Sequence, residues 1–77
     1  QGDAKAQFNF AEMSWDGLGV PQDDASAAKW YRKAAEQGHA GAQRMIGIMY
    51  AHGRGVPKDG AESAKWSQKA KAQGVLW

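Results

Sequence analysis

The segment GLGVPQD at residues 17–23 returns thirty-six residues later as GRGVPKD at residues 53–59. A glycine-rich loop can cradle a phosphate, but that chemistry needs a lysine and a serine or threonine directly after the glycines, opening a helix. Neither copy supplies them. Duplication points to architecture instead, and the loop positions suit structural tasks. The first glycine, Gly17 or Gly53, falls where a helix ends and where positive φ is cheap only for glycine. The valine can anchor between helices and the proline stiffens the approach. The aspartate, Asp23 or Asp59, is a good N-cap for the next helix.

The match extends well beyond the loop. Laying residues 1–36 over 37–72 pairs Gln1 with Gln37, Ala6 with Ala42, Gln7 with Gln43, Met13 with Met49, Lys29 with Lys65 and Trp30 with Trp66, without any insertion. Residues 73–77 begin a third copy and stop. The sequence therefore reads as one domain over 1–77, with repeat one at 1–36, repeat two at 37–72 and a tail at 73–77.

Each repeat holds two helical patterns. Ala42, Ile46, Met49, Tyr50 and Gly53 share one face by the three-and-four spacing of a helix. Ala27, Trp30, Tyr31, Ala34 and Ala35 form a second stripe. Glu62, three residues after Asp59, stands in capping-box position. Gly38 and Gly74 suit the C′ position of the second helix in each repeat. The spacing predicts helices over 4–16, 24–37, 40–52 and 60–73, and no strand.

Composition narrows the classes. At 77 residues the chain buries only about 60% of its unfolded surface, enough for one thin core. It has no cysteine, so neither disulfides nor cysteine-held zinc can form. Its apolar runs are too short to span a membrane, and none of its stretches is expected to act as a signal peptide. The net charge of +2 and pI near 9.1 are mild for a nucleic-acid binder.

The sequence AGAQRMIGIMYAHGRGVPKD with Trp66 in repeat two, and WYRKAAEQG from Trp30 to Gly38 in repeat one, resembles the Sel-one-like repeat family, a relative of tetratricopeptide repeats. The resemblance covers nearly the whole chain. It implies an all-α fold, an α/α solenoid of two helix-turn-helix repeats forming a fragment of a right-handed superhelix. It further implies a bacterial adaptor or scaffold that binds a protein or peptide, with no cofactor, metal or chemistry of its own. Periplasmic or secreted placement is favoured over cytoplasmic by the same resemblance.

Departures from the family pattern carry information. Ser14 stands where the family favours the tyrosine kept as Tyr50, and Trp15 follows it, so the first helix is expected to pack unusually. Ser63 and Lys71 replace alanines that would face a further repeat. Repeat two therefore reads as a polar C-terminal cap, as arrays require, with Val75, Leu76 and Trp77 folding back over it. Gln1-Gly2 looks like the tail of a preceding helix, left by the loss of either earlier repeats or a signal peptide. Two repeats are fewer than such arrays usually need. Exposed apolar surface is expected at the N-terminal end, and with it homo-oligomerisation through the repeat ends or pairing with further repeats.

The first helix of each repeat lines the concave face in such solenoids. Its outward side chains are the candidate partner-binding surface: Lys5, Phe8, Asn9 and Glu12 in repeat one, with Trp15 beside them, and Arg44, Met45, Ile48 and His52 in repeat two. Phe8, Met45 and Ile48 lie off the core stripe, where apolar residues suggest a partner. Trp30 and Trp66 read as core residues, since they recur with the fold.

The competing class uses Ser26-Ala27-Ala28-Lys29, which matches the Ser-x-x-Lys nucleophile motif of penicillin-interacting enzymes. This reading has the chain bind or hydrolyse a cell-wall ligand. The companion Ser-Asp-Asn and Lys-Thr-Gly segments are absent, and repeat two has Glu62 in place of the serine. His39 and His52 lack the acidic neighbours of a metal site, and His39 suits a helix start. Lys29, Lys33, Lys65 and Lys69 form a charged row at i, i+4 that is ordinarily solvated. No interleaved aromatics suggest nucleic-acid stacking.

Overall fold

The computed structural model describes residues 3–17 and 23–73. It contains four helices, α1 (Ala4–Asp16), α2 (Asp24–Glu36), α3 (Ala40–His52) and α4 (Gly60–Ala72). There is no strand among the described residues. The chain is all-α, a solenoid of two helix pairs in which α1 packs on α2, α2 on α3 and α3 on α4. Gln1, Gly2, Val20, Gly74 and the tail residues Val75, Leu76 and Trp77 lie outside the described residues, as do the expectations placed on them.

The helix boundaries follow local chemistry. α1 and α3 end at Gly17 (φ 74°) and Gly53 (φ 68°), whose amides bond back to the carbonyls of Met13 and Met49. Asp23 and Asp59 cap α2 and α4, each accepting two backbone amides of the first turn. α2 and α4 each stop one residue short of the expected bound. Gln37 and Gln73 turn out of helical geometry and donate to Ala34 and Ala70, a tightened last turn.

The expected capping box at Glu62 is not formed. The Asp59 amide, which such a box would engage, donates to the Tyr50 carbonyl at 3.0 Å, and the Asp23 amide donates likewise to Ser14. These bonds let the start of each second helix close the end of the first. With its target taken, the Glu62 carboxylate lies 3.9 Å from Lys65.

The core is small and alanine-rich. Ala11, Ala27, Tyr31, Ala34, Ala42, Ile46 and Met49 have no exposed surface. Small side chains let the helices approach closely, and Tyr31, Ile46 and Met49 supply the bulk. Each large buried side chain contributes on the order of 1.5–3 kcal/mol. Val56 packs against this cluster, as expected for the loop anchor.

Candidate functional site

α1 and α3 lie side by side and run in the same direction, because contacts tie them together near both ends. Phe8 stacks on His39, the N-cap of α3, with ring centroids 4.5 Å apart. Beyond the other end of α3, the Arg54 guanidinium sits 4.0 Å above the Trp15 ring. Their shared outer side is the surface expected to bind a partner.

On that surface Lys5, Asn9 and His52 are exposed, while Met45, Ile48, Arg44, Glu12 and Phe8 are half-buried. Two of the apolar residues do not stand off the core as expected. Phe8 meets Tyr31 edge-on at 5.6 Å and Met45 packs against the core cluster. The reason is tertiary: α1 buries one flank against α2 and a second flank against the next repeat, so the covered stripe is wider than one helix pair needs. Glu12 also has structural work, accepting a hydrogen bond from the Tyr31 hydroxyl at 2.9 Å. Burial and that carboxylate together push the Tyr31 phenol far above its usual range, so it remains the donor.

Arg54, Trp15 and Asp24 form a clasp that sequence reasoning missed. Besides covering Trp15, Arg54 donates to both Asp24 oxygens at 3.3–3.4 Å. Gly55 completes it: φ is 74°, and a Cβ there would run into the Asp24 carbonyl. The available signal was the contrast between Arg54 and its loop counterpart Leu18. The unusual packing expected of Trp15 is this clasp, together with an edge contact to Tyr31 at 6.5 Å.

The two polar side chains of the Ser-x-x-Lys motif each meet another group. The Ser26 hydroxyl donates to Asp23 Oδ2 at 2.9 Å, while Lys29 Nζ lies 5.8 Å from the Trp30 ring centroid. Ser26 thus buttresses the helix cap. Its hydroxyl and amide hold the Asp23 carboxyl below its usual value near 3.8. His39 is the N-cap of α3, and its Nδ1 accepts from the Ala42 amide at 3.1 Å.

The lysine rows carry aromatics between them, contrary to the sequence reading. Lys29 and Lys33 flank Trp30 at 5.8 and 5.3 Å, and Lys65 and Lys69 flank Trp66 at 5.4 and 5.9 Å. Trp66 is buried, and Trp30 is half-buried against the core with Phe10 edge-on to it at 5.3 Å. Among the described residues no group of three or more histidines and carboxylates could hold a metal ion, and no helix is long and apolar enough to cross a membrane.

Known proteins share both the sequence pattern and the fold. The Sel1 repeat model matches twice, at residues 4–39 and 40–75. No curated protein matches the chain. A Sel1 repeat protein from Oxalobacter formigenes is similar in structure with a TM-score of 0.95 and 39% identity, covering 96% of this chain and 56% of that one. A protective antigen of uropathogenic Escherichia coli strains, displaying the same repeat fold, gives 0.92 and 44%, covering 94% of this chain and 15% of that one. Cysteine-rich protein B of Helicobacter pylori shares the fold at 0.90 and 24% identity, covering 94% of this chain and 54% of its own. The chain thus spans little more than half the length of these proteins at most. With the repeat matched across nearly all its residues, the chain belongs to the Sel1 repeat family.

Proposed function

We propose that this chain is a non-catalytic interaction module that binds a protein or peptide across the shared outer side of α1 and α3. Sel1 repeat proteins are generally protein-interaction modules, and the finer assignment is to a surface. One observation carries it: on the adjoining first helices of the two repeats, half-buried Ile48 lies one turn from exposed His52 on α3, and Lys5 and Asn9 are exposed on α1. An apolar centre with a polar rim is the usual make-up of a recognition patch. Phe8 and Glu12 support the patch by fixing α1 against α2 and α3, and Arg44 lies half-buried on the same helix as Ile48.

The test is partner capture with the wild type and an Ile48→Glu, His52→Glu double variant, after both show equal helicity by circular dichroism. A partner held by the wild type and lost by the variant supports this surface. A partner held equally by both places recognition elsewhere and sinks the assignment.

A further inference from the structure

The second helices of the two repeats carry a cluster that the partner surface does not use. A cleft of about 370 Å³ lies between α2 and α4, a size suited to a small ligand. Arg32 and Glu36 line it from α2, Lys65, Trp66 and Lys69 from α4, and Gln43 from α3. Three cations thus border it with a single carboxylate among them. Arg32 is fixed in place, since Nη1 donates to the Tyr50 hydroxyl at 2.6 Å and Nε to Glu36 at 3.3 Å. Its Nη2 has no bond among the described residues. Lys69 is in no ion pair among them either, and the pair of Lys65 is the loose one with Glu62 at 3.9 Å. The Gln43 amide is engaged at both ends, by the Ala35 carbonyl and by Gln73.

A second observation points to a ligand. Trp66 is 4% exposed, and its indole N–H meets no acceptor among the described residues, whereas buried donors are ordinarily paired. Lys65 and Lys69, both exposed, lie over this ring at 5.4 and 5.9 Å. The cleft is rich in donors and short of acceptors. Repeat one supplies the contrast. Trp30 has the same two lysines, at 5.8 and 5.3 Å, but the groove it lines with Ala6, Gln7 and Phe10 holds no arginine.

We infer that the α2–α4 cleft binds a small oxyanion, the phosphate or carboxylate group of a soluble ligand, between Arg32 and Lys69 with the Trp66 indole N–H as a further donor. Bonds from guanidinium and ammonium groups to such an anion are charge-assisted and strong. Reaching the indole N–H needs the exposed lysine chains over the ring to turn aside, a motion such side chains make freely. Glu36 already offers a carboxylate to Arg32, so it competes with the ligand. This site is independent of the α1–α3 surface, and either assignment can fail without the other.

The test titrates inorganic phosphate, acetate and chloride at constant ionic strength and follows the assigned indole N–H resonances by NMR. Phosphate or acetate should move the Trp66 resonance saturably, while chloride does not and Trp30 stays close to its starting position. Stronger binding of phosphate assigns a phosphate ester, and stronger binding of acetate a carboxylate. Arg32→Gln should weaken binding by about tenfold or more, and Lys69→Gln, at an exposed position, by about three- to fivefold. Glu36→Gln should strengthen it, and Lys33→Gln should leave it unchanged. Circular dichroism checks each fold, and should Arg32→Gln unfold the chain, Lys69→Gln and Glu36→Gln still decide. Saturation by neither anion overturns the site. Equal movement of Trp66 and Trp30 would mean simple screening of two lysine pairs and also overturns it. So does binding that ignores both Lys69→Gln and Glu36→Gln.

Discussion

The first helices of the two repeats have the same cap geometry at their C-termini, the same length and matching residues, yet opposite environments. Met13 of α1 is 40% exposed and Met49 of α3 is fully buried, although they are one residue type at one register position. The second helices reverse the contrast. Ala28 and Ala35 of α2 are buried against repeat two, whereas Ala64 and Lys71 of α4 are exposed. Burial in this molecule is thus set by what stacks on a helix pair rather than by the helix itself. That is the expectation for a quasi-one-dimensional array, whose stability is a sum of repeats and nearest-neighbour interfaces.

The strongest way to break the comparison is to truncate matched positions. Ile46→Ala should cost about 2–5 kcal/mol, because it opens a cavity in a fully closed site. Phe10→Ala, at the counterpart position, should stay within about 1 kcal/mol. Urea denaturation measures both. Equal costs would mean that α1 is covered in solution.

The loop glycines sharpen the contrast between local and tertiary demands. Gly55→Ala should lose roughly 1–2 kcal/mol for its left-handed backbone, and more because the new Cβ meets the Asp24 carbonyl. Gly60→Ala sits in open space at the start of α4 and should gain about 0.5–1 kcal/mol. If both substitutions moved the midpoint in the same direction, the Gly55–Asp24 contact would not be a determinant.

The caps of α1 and α3 differ in chemistry, Asp3 against His39. His39→Ala should cost about 1 kcal/mol, and His39→Asp should restore most of the lost cap. Chemical denaturation of the two variants decides. Failure of aspartate to rescue would assign the loss to the Phe8 stack.

The smallest expected effect concerns pH. The folded-state value of Asp23 lies below its unfolded one, so its stabilisation is present above the ordinary carboxylate value near 3.8. It is lost as pH falls through the lowered value. Ser26 supplies the leading cause, so Ser26→Ala should flatten this part of the acid unfolding profile. An unchanged profile would show that the Ser26 hydroxyl bond does not matter in solution.

Much of this was legible in the chain. The thirty-six-residue period, the αL glycines and the aspartate caps placed all four helices to within one residue, because each signal acts between neighbours in sequence. The candidate surface was read less well. Spacing along one helix turns Phe8 and Met45 outward, because the periodicity of one helix cannot reveal a second covered flank. The Glu62 capping box failed because its target amide bonds to a carbonyl on the previous helix. Arg54 has no role that its loop spacing reveals, and only the fold sets it beside Asp24 and Trp15.

The sequence by itself determined the number of repeats, the helix ends and the family, since these rest on spacing and on backbone preferences of a few residue types. Only the tertiary structure decided why the second loop glycine is needed, which tryptophan is enclosed and which face remains open. Those outcomes depend on atoms about thirty residues apart meeting at van der Waals distance, as Gly55 and Asp24 do, and no local pattern encodes such a meeting.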